Sequence, residues 1–334
     1  MTSPSQRRWI IGEVGSVHDG SFGNACKLIE LAARCGANVV KFQTHIAEAE
    51  TLENAPAPSY FKAEPRFAYF KRTAFSREQW LELAKVARDN GLMFMSSPFA
   101  IEAVDQLEET GIDIYKIASG EVTNTPLLER VAKTGKPVIL SSGMSDWREL
   151  DRAVAALRSA DDLTVMQCTS AYPCPVERAG VNVLTEIAAR YQVATGLSDH
   201  TQGIAAAVAA VVLGATAVEK HFTFSRHMYG SDAQFAAEPD EFRRYCSEIK
   251  DAWKLLDHPV DKSDLDSFRE MKQVFEKSIV TAVEVRQGQR LAREMLAFKK
   301  PGTGIRADRL DDVLGKQVVR DLPKDHMLSE KDFQ

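Results

Sequence analysis

Ten polar residues stand at or just past the ends of short apolar runs: Glu13, Lys41, Gln43, Ser97, Lys116, Ser119, Glu121, Ser141, His200 and His221. In a chain that alternates β and α segments, positions just after the strands gather at one end of the sheet. In an eight-stranded barrel that end carries the chemistry. Lys41 and Lys116 interrupt otherwise apolar stretches, VVKFQ and IYKIA. An ammonium there needs an anionic partner or a strongly shifted pKa. Three uses fit: a structural ion pair with a buried Glu, an anion site shared with the hydroxyls of Ser97, Ser119 and Ser141, or a Schiff-base lysine. Two cations beside a hydroxyl cluster rank the anion site, suited to a phosphate and a carboxylate, above the Schiff base.

His200 lies in GLSDHT and His221 in VEKHFT, at the ends of two successive runs. Adjacent strands would place both imidazoles on one rim, where they serve either as hydrogen-bonding rim residues or as ligands of a divalent metal with open positions. Carboxylates such as Glu13 nearby favour a hard ion, Mn(II) or Mg(II). Glu13 and Glu121 can act as general bases, as supporting partners or as counter-charges to the lysines. Asp232, in YGSDAQF, suits a sugar-hydroxyl contact or a solvated loop. His18 and His45 read as loop hydrogen-bonders; His227, His258 and His326 have no chemical context.

The elements that must position these groups are eight β-rich runs, at 9–14, 38–43, 92–96, 114–118, 137–141, 163–168, 192–196 and 217–222. Most are apolar at consecutive positions, as parallel strands buried on both faces require. Amphipathic stretches separate them. ACKLIELAARCG, IEAVDQLEETG and TPLLERVAKTG each end on Gly (36, 111 and 135), a helix-terminating residue. Ser76 and Gln79 form a capping box. GIAAAVAAVVLGA is nearly all apolar and is expected to be deeply buried. Eight strand–helix repeats predict a closed (β/α)8 TIM barrel, preferred to a doubly wound sheet because no GxGxxG follows the first strand. The stretch 44–75, with Pro56, Pro58, Pro65 and several aromatics, reads as a long loop over the active face, suited to a lid. After residue 258 the character changes. Residues 259–277 read as a polar linker helix, and 278–334, with β-like runs broken by Gly288, PGTG and Gly315, as a small β-rich domain.

The chain's 334 residues suffice for a barrel of residues 1–258 plus this extra domain. A net charge of −5 without a Lys/Arg run argues against nucleic acid or an anionic membrane as partner. The opening MTSPSQRRWIIGEVG is too short in apolar residues for a signal-peptide core, and no run approaches the ~18 of a membrane span. Five cysteines without a CxxC spacing suggest free thiols in a reducing cytoplasm, with Cys26 and Cys35 as packing residues.

Read together, IGEVGSVHDG, VVKFQTH, SSPF, YKIASGEVTNTPLLE, GKPVILSSGM, QCTSAYPCP, GLSDHT, VEKHFT and KKPGTGI resemble the sialic acid synthase family over nearly the whole chain. The family includes legionaminic and pseudaminic acid synthases. The resemblance implies a (β/α)8 barrel with a C-terminal antifreeze-like (SAF) domain. It also implies condensation of phosphoenolpyruvate with an N-acyl amino sugar to a nine-carbon 2-keto-3-deoxy acid, and a domain-swapped homodimer. It casts Lys41, Ser97, Lys116, Ser119, Ser141 and Ser198 as the phosphoenolpyruvate-binding set. His200 and His221 are cast as metal ligands, usually for manganese. Glu13 and Gln43 are cast as groups holding phosphoenolpyruvate or metal-bound water, Glu121 as the residue handling the attacking water or the sugar, and Tyr172 and Asp232 as sugar contacts.

Three departures lie where the sugar should sit: Val17 before His18 instead of Asn, Ser170 instead of the Asn often found before Tyr-Pro, and Lys300 where an Arg contacts the N-acyl group. Lys keeps the charge and loses the planar fork. The acceptor is therefore left open between N-acetylmannosamine, a 2,4-diacetamido-trideoxyhexose and another sugar aldehyde. Competing readings are condensation with a different aldose, a Schiff-base pyruvate aldolase, and a non-catalytic sugar-binding homologue.

Overall fold

The computed structural model describes residues 7–56 and 63–334 and divides into two compact units, Met1–His258 and Pro259–Gln334. In the first, eight parallel strands close into a barrel in sequence order: β1 (Trp9–Glu13), β2 (Val39–Thr44), β3 (Met93–Pro98), β4 (Ile114–Ile117), β5 (Val138–Ser141), β6 (Leu163–Cys168), β7 (Ala194–Ser198) and β8 (Ala217–His221). The ring is sealed by β1 pairing with β8. Around it run α1 (Phe22–Cys35), α2 (Ala47–Glu50), α3 (Arg66–Thr73), α4 (Arg77–Asp89), α5 (Ile101–Thr110), α6 (Thr125–Ala132), α7 (Trp147–Ala156), α8 (Val183–Tyr191), α9 (Ala205–Val212) and α10 (Pro239–Asp257).

Side chains alternate along each strand, so every second residue faces the barrel axis. Trp9, Ile11, Val39, Met95, Ile114, Ile139, Met166 and Ala217 form one apolar cluster there. Two residues further along, the same faces carry Glu13, Lys41, Ser97, Lys116, Ser141, Cys168 and Glu219. The interior is thus an apolar plug with a polar layer above it, at the strands' C-terminal ends. Outside the barrel, a larger core joins the strands to α1, α4–α7 and α10 through residues such as Leu28, Phe42, Trp80, Phe94, Leu128 and Phe242.

The helix ends follow local chemistry. Gly36 and Gly111 adopt the left-handed conformation just past α1 and α5, and Ser76 with Gln79 closes a reciprocal capping box on α4. The α6 helix stops at Ala132, with Gly135 in the left-handed region three residues later. Three expectations need correction. The α9 segment is not deeply buried throughout: Ala206, Ala207, Ala210 and Val211 face inward, but Val212 and Leu213 are 62% and 41% exposed. The stretch 44–75 is not a plain loop but carries α2 and α3; Pro58 and its neighbours at 57–62 lie outside the described residues. The linker's helix is short, α11 (Arg269–Phe275).

The second unit contains α11, an antiparallel pair, β9 (Ser278–Thr281) with β10 (Leu296–Lys299), and α12 (Leu310–Val313). Isolated bridges such as Val285 to Leu322 and Val318 to Phe333 tie its later runs together. Its own core centres on Ile279, Val285, Leu291, Val318 and Leu328. None of the helices among the described residues is long and apolar enough to cross a membrane.

Candidate active site

Strand register assembles the polar layer. Glu13 of β1 stands opposite Lys41 of β2 on one side and His221 of β8 on the other. Gln43 pairs in register with Ser97, and Ser198 with Glu219. Both lysines are buried and both find carboxylates. Lys41 Nζ lies 2.7 Å from Glu13 Oε2 and 3.7 Å from Glu219 Oε1, and Lys116 Nζ donates to both Glu219 oxygens at 3.0 Å. Burial alone would lower the Lys41 pKa, but Glu13 and Glu219 outweigh it and raise it above the ordinary value. For Glu219, burial opposes ionisation, yet the two ammoniums hold it well below the usual carboxylate range. Ionic pairing and a potential anion site therefore coincide on the same two lysines.

Hydroxyls complete the arc. Ser119 and Ser141 Oγ are 2.9 Å apart, Ser198 donates to Glu219 at 3.1 Å, and Ser97 Oγ is buried with no hydrogen-bond partner among the described residues. Gly143 is needed here: a Cβ at that position would overlap the hydroxyls of Ser119 and Ser170. Cys168 Sγ lies 3.7 Å from Ser119 Oγ. Gln43 Nε2 donates to Glu13 Oε1 at 2.8 Å, so the two groups act as one unit. Glu121 closes the short 3-10 turn Ser119–Glu121 and accepts from Asn124 Nδ2 at 2.8 Å; burial raises its pKa despite that bond.

On the same rim, next to Glu13, the His200 and His221 rings are 5.7 Å apart, and Tyr172 packs on His200 at 4.2 Å and on His221 at 6.2 Å. His200 Nδ1 lies 2.9 Å from the Thr169 carbonyl, which makes Nδ1–H the donor and leaves the lone pair on Nε2. His221 Nδ1 is buried without a hydrogen-bond partner among the described residues, and burial pushes the ring's pKa down. Burial lowers the His200 pKa, but the adjacent Cys168 thiol outweighs it and raises it; with their ring protons displaced, the two imidazoles, one with an unsatisfied nitrogen, fit a divalent cation. Among the described residues no group of three or more His, Cys, Asp or Glu is placed to hold one, so water or substrate oxygens would fill the other positions. Asp232 reaches back to the first loop: Ser16 N and Oγ donate to its Oδ2 at 2.7 and 2.8 Å. Burial pushes that carboxyl up, but His221 and the Ser16 donors bring it below its ordinary value.

A narrow pocket joins Tyr172, His200, His221, Asp232 and Phe235. A wider cleft of about 590 Å³ runs along Ser142, Trp147, Cys168, Ser170 and Arg178. All candidate residues except Lys300 thus lie on the strand ends or the loops just after them. Lys300 belongs to the second unit, where its Nζ sits 4.9 Å over the Phe275 ring. Val17 and His18 are buried in the first loop, and burial, then the neighbouring His45, pushes His18 down to about 4.

Two charged residues went unread in the sequence. Glu219 is the shared counter-ion of both lysines, and parity with His221 two residues on would have placed it inside the barrel. Lys220 points the other way and is buried against Asp199 Oδ2 at 3.0 Å and the Thr201 carbonyl at 2.7 Å.

The NeuB family model matches residues 28–261, and the SAF domain model matches 276–334. An N,N'-diacetyllegionaminic acid synthase of Campylobacter jejuni is 33% identical over 96% of this chain and 98% of its own length. The N-acetylneuraminate-9-phosphate synthase of Homo sapiens is 30% identical over 97% and 92%. The crystal structure of an N-acetylneuraminic acid (sialic acid) synthetase from Leptospira borgpetersenii serovar Hardjo-bovis, in complex with citrate, superposes with a TM-score of 0.69 at 29% identity, covering 80% of this chain and 90% of that one. A closed eight-stranded barrel with this polar layer, matched by relatives along nearly its whole length, places the chain in the NeuB family, with a SAF domain at its C-terminal end.

Proposed function

We propose that this protein condenses phosphoenolpyruvate with an N-acyl amino sugar, N-acetylmannosamine or a 2,4-diacetamido-trideoxyhexose, to form a nonulosonic acid. Phosphate leaves by C–O cleavage. The observation that carries the reading is the pair of buried lysines with a hydroxyl arc, and two imidazoles at the same end of the barrel. Lys41, Lys116, Ser97, Ser119, Ser141 and Ser198 supply donors for a phosphate and a carboxylate held together. Such fixed donors stabilise the leaving phosphate and keep C3 of phosphoenolpyruvate aligned on the sugar aldehyde. Glu13 and Gln43 orient the bound enol face, and Glu121 orients the water that adds at C2. Its raised pKa suits a group that must accept a proton.

His200 and His221 would hold a divalent ion, Mn2+ or Mg2+. When bound, such an ion supplies Lewis-acid polarisation of the acceptor carbonyl. Tyr172, Ser170 and Asp232 line the acceptor's side, and Lys300 supplies a cation for its N-acyl group. A homodimer in the cytoplasm, with the SAF domains exchanged, completes the reading. An exposed apolar stripe, Phe268, Met271, Val274 and Phe275, on and beside α11, offers a surface that such a dimer would cover.

The lysine pairings disfavour a Schiff-base aldolase, because a protonated, carboxylate-bound ammonium is a poor nucleophile. Condensation with a different aldose and a non-catalytic sugar binder predict other products or none. Phosphate release from phosphoenolpyruvate with Mn2+, measured across amino sugars, pentoses and hexoses with the product read by mass, separates all of these. A nine-carbon product from one amino sugar is expected. Release with a pentose alone, or borohydride trapping of pyruvate on Lys41 or Lys116, would refute the proposal.

A further inference from the structure

We propose that His45 is a positioning residue that fixes which way the Gln43 amide faces and, through it, holds the Glu13 carboxylate. The inference rests on the reading of Gln43 and Glu13 as part of the phosphoenolpyruvate site.

A carboxamide has nearly the same shape either way round, so its orientation is decided by its neighbours. Glu13, ion-paired to Lys41, can only accept, and it takes a hydrogen from Gln43 Nε2 at 2.8 Å. The Gln43 carbonyl must then face the other way, where His45 Nε2 stands 3.2 Å off. A carbonyl oxygen only accepts, so Nε2 carries a hydrogen. On the far side of the ring, Nδ1 lies 2.8 Å from Glu50 Oε1, a carboxylate that also accepts from the Thr51 hydroxyl. Both ring nitrogens therefore donate, and His45 sits as an imidazolium.

The protein is built to keep it there. The ring is stacked between Phe70 and Phe99, at 3.8 and 4.3 Å and within 7° and 16° of parallel. That arrangement suits a cation and holds the plane of the ring. Glu50 is nearly buried, with its second oxygen lacking a hydrogen-bond partner among the described residues. Glu121 and His18 are other titratable groups close enough to interact with the ring, and Arg66 packs on Phe70, one of the rings that stack on it. His18 is driven down to about 4, first by burial and then by its closeness to His45, so that neighbouring imidazole stays neutral. The result is a continuous path of hydrogen bonds and ion pairs from Glu50 through His45, Gln43, Glu13, Lys41 and Glu219 to Lys116. It ties the loop after β2 to both lysines.

Two variants and one spectroscopic signature test this on the full chain. His45→Phe keeps a stacked ring and removes both donors. His45→Gln keeps one donor within reach of the Gln43 carbonyl. The expected result is a kcat lowered about tenfold in His45→Phe, the size of one lost charge-assisted hydrogen bond, with the KM for the sugar changed less than about twofold and most of the loss recovered in His45→Gln. Nitrogen-15 NMR of the wild-type protein near neutral pH should show both His45 ring nitrogens protonated. In Glu50→Gln the ring should become a neutral tautomer, which serves as the test if His45→Phe does not fold. Equal losses in the two His45 variants, or a neutral His45 in the wild type, would overturn the proposal. Should the wild type release no phosphate with any acceptor, the functional reading fails, while the NMR signature still decides the clamp.

Discussion

Glu219→Gln removes one negative charge and almost no volume from the centre of the polar layer. In the free protein Lys116 Nζ has both its close partners on this carboxylate, at 3.0 Å each, and Lys41 has its second partner there at 3.7 Å. Breaking a buried ion pair on one side costs about 3–5 kcal/mol, because the other charge stays buried. The new amide keeps one acceptor oxygen for Lys116, so the lower end, about 3 kcal/mol, is expected. For a unit of this size each kcal/mol moves the melting temperature by about 2–4 °C, which makes the loss about 6–12 °C. Phosphoenolpyruvate brings its own carboxylate and phosphate to the same lysines. At a hundredfold excess over Kd it stabilises the wild type by about 2.7 kcal/mol, and at the same concentration it should stabilise the variant more, narrowing the gap. Scanning calorimetry of both proteins, with and without the ligand, reads this directly. A variant melting within about 2 °C of wild type would show that the buried pairs carry no weight. An unchanged gap at saturating ligand would show that the anion does not take over the lysines.

Ser97→Ala removes a buried hydroxyl that has no hydrogen-bond partner among the described residues, and an unsatisfied group of this kind costs about 1–3 kcal/mol. The variant should melt no lower than wild type while its KM for phosphoenolpyruvate rises about fivefold or more; parallel melts and kinetics check both halves. Gly143→Ala drives a methyl into the hydroxyls of Ser119 and Ser170, so calorimetric titration should show phosphoenolpyruvate affinity reduced at least about tenfold, a cost in the usual overpacking range. Glu121 has a folded pKa raised by burial, so its ionised form costs stability above that pKa and costs nothing below the unfolded value. Glu121→Gln should therefore melt at or above wild type near neutral pH, lose that advantage in acid, and lose turnover throughout. A lower melting temperature at neutral pH would contradict the assignment of burial as the cause.

The eight strands were legible to within one or two residues because parallel strands covered on both faces write continuous apolar runs, and a barrel leaves no edge to disguise. The polar layer was legible for a related reason: a Lys or Ser inside such a run has nowhere to go but the strand end. Glu219 shows how much a strict period of two adds. His221 was read as facing the site, and the same parity carries Glu219 inside and Lys220 outside, where it pairs with Asp199. Register then sets the neighbours, since Glu13 lies between Lys41 and His221 only because β1 bonds to both β2 and β8. Two of the eight-residue helices were harder. In α3, RFAYFKRT spans about two turns, too few for a period to stand out against its prolines and aromatics. In α9 the uniform apolar composition hid which side faces solvent, and Val212 and Leu213 proved to be outside. The chemistry therefore divides along the same line as the fold. The anion half sits on strands, where spacing and register dictate which side chains meet. The proposed acceptor contacts Val17, Ser170, Tyr172 and Asp232 sit on loops of the barrel unit, whose positions no local period encodes.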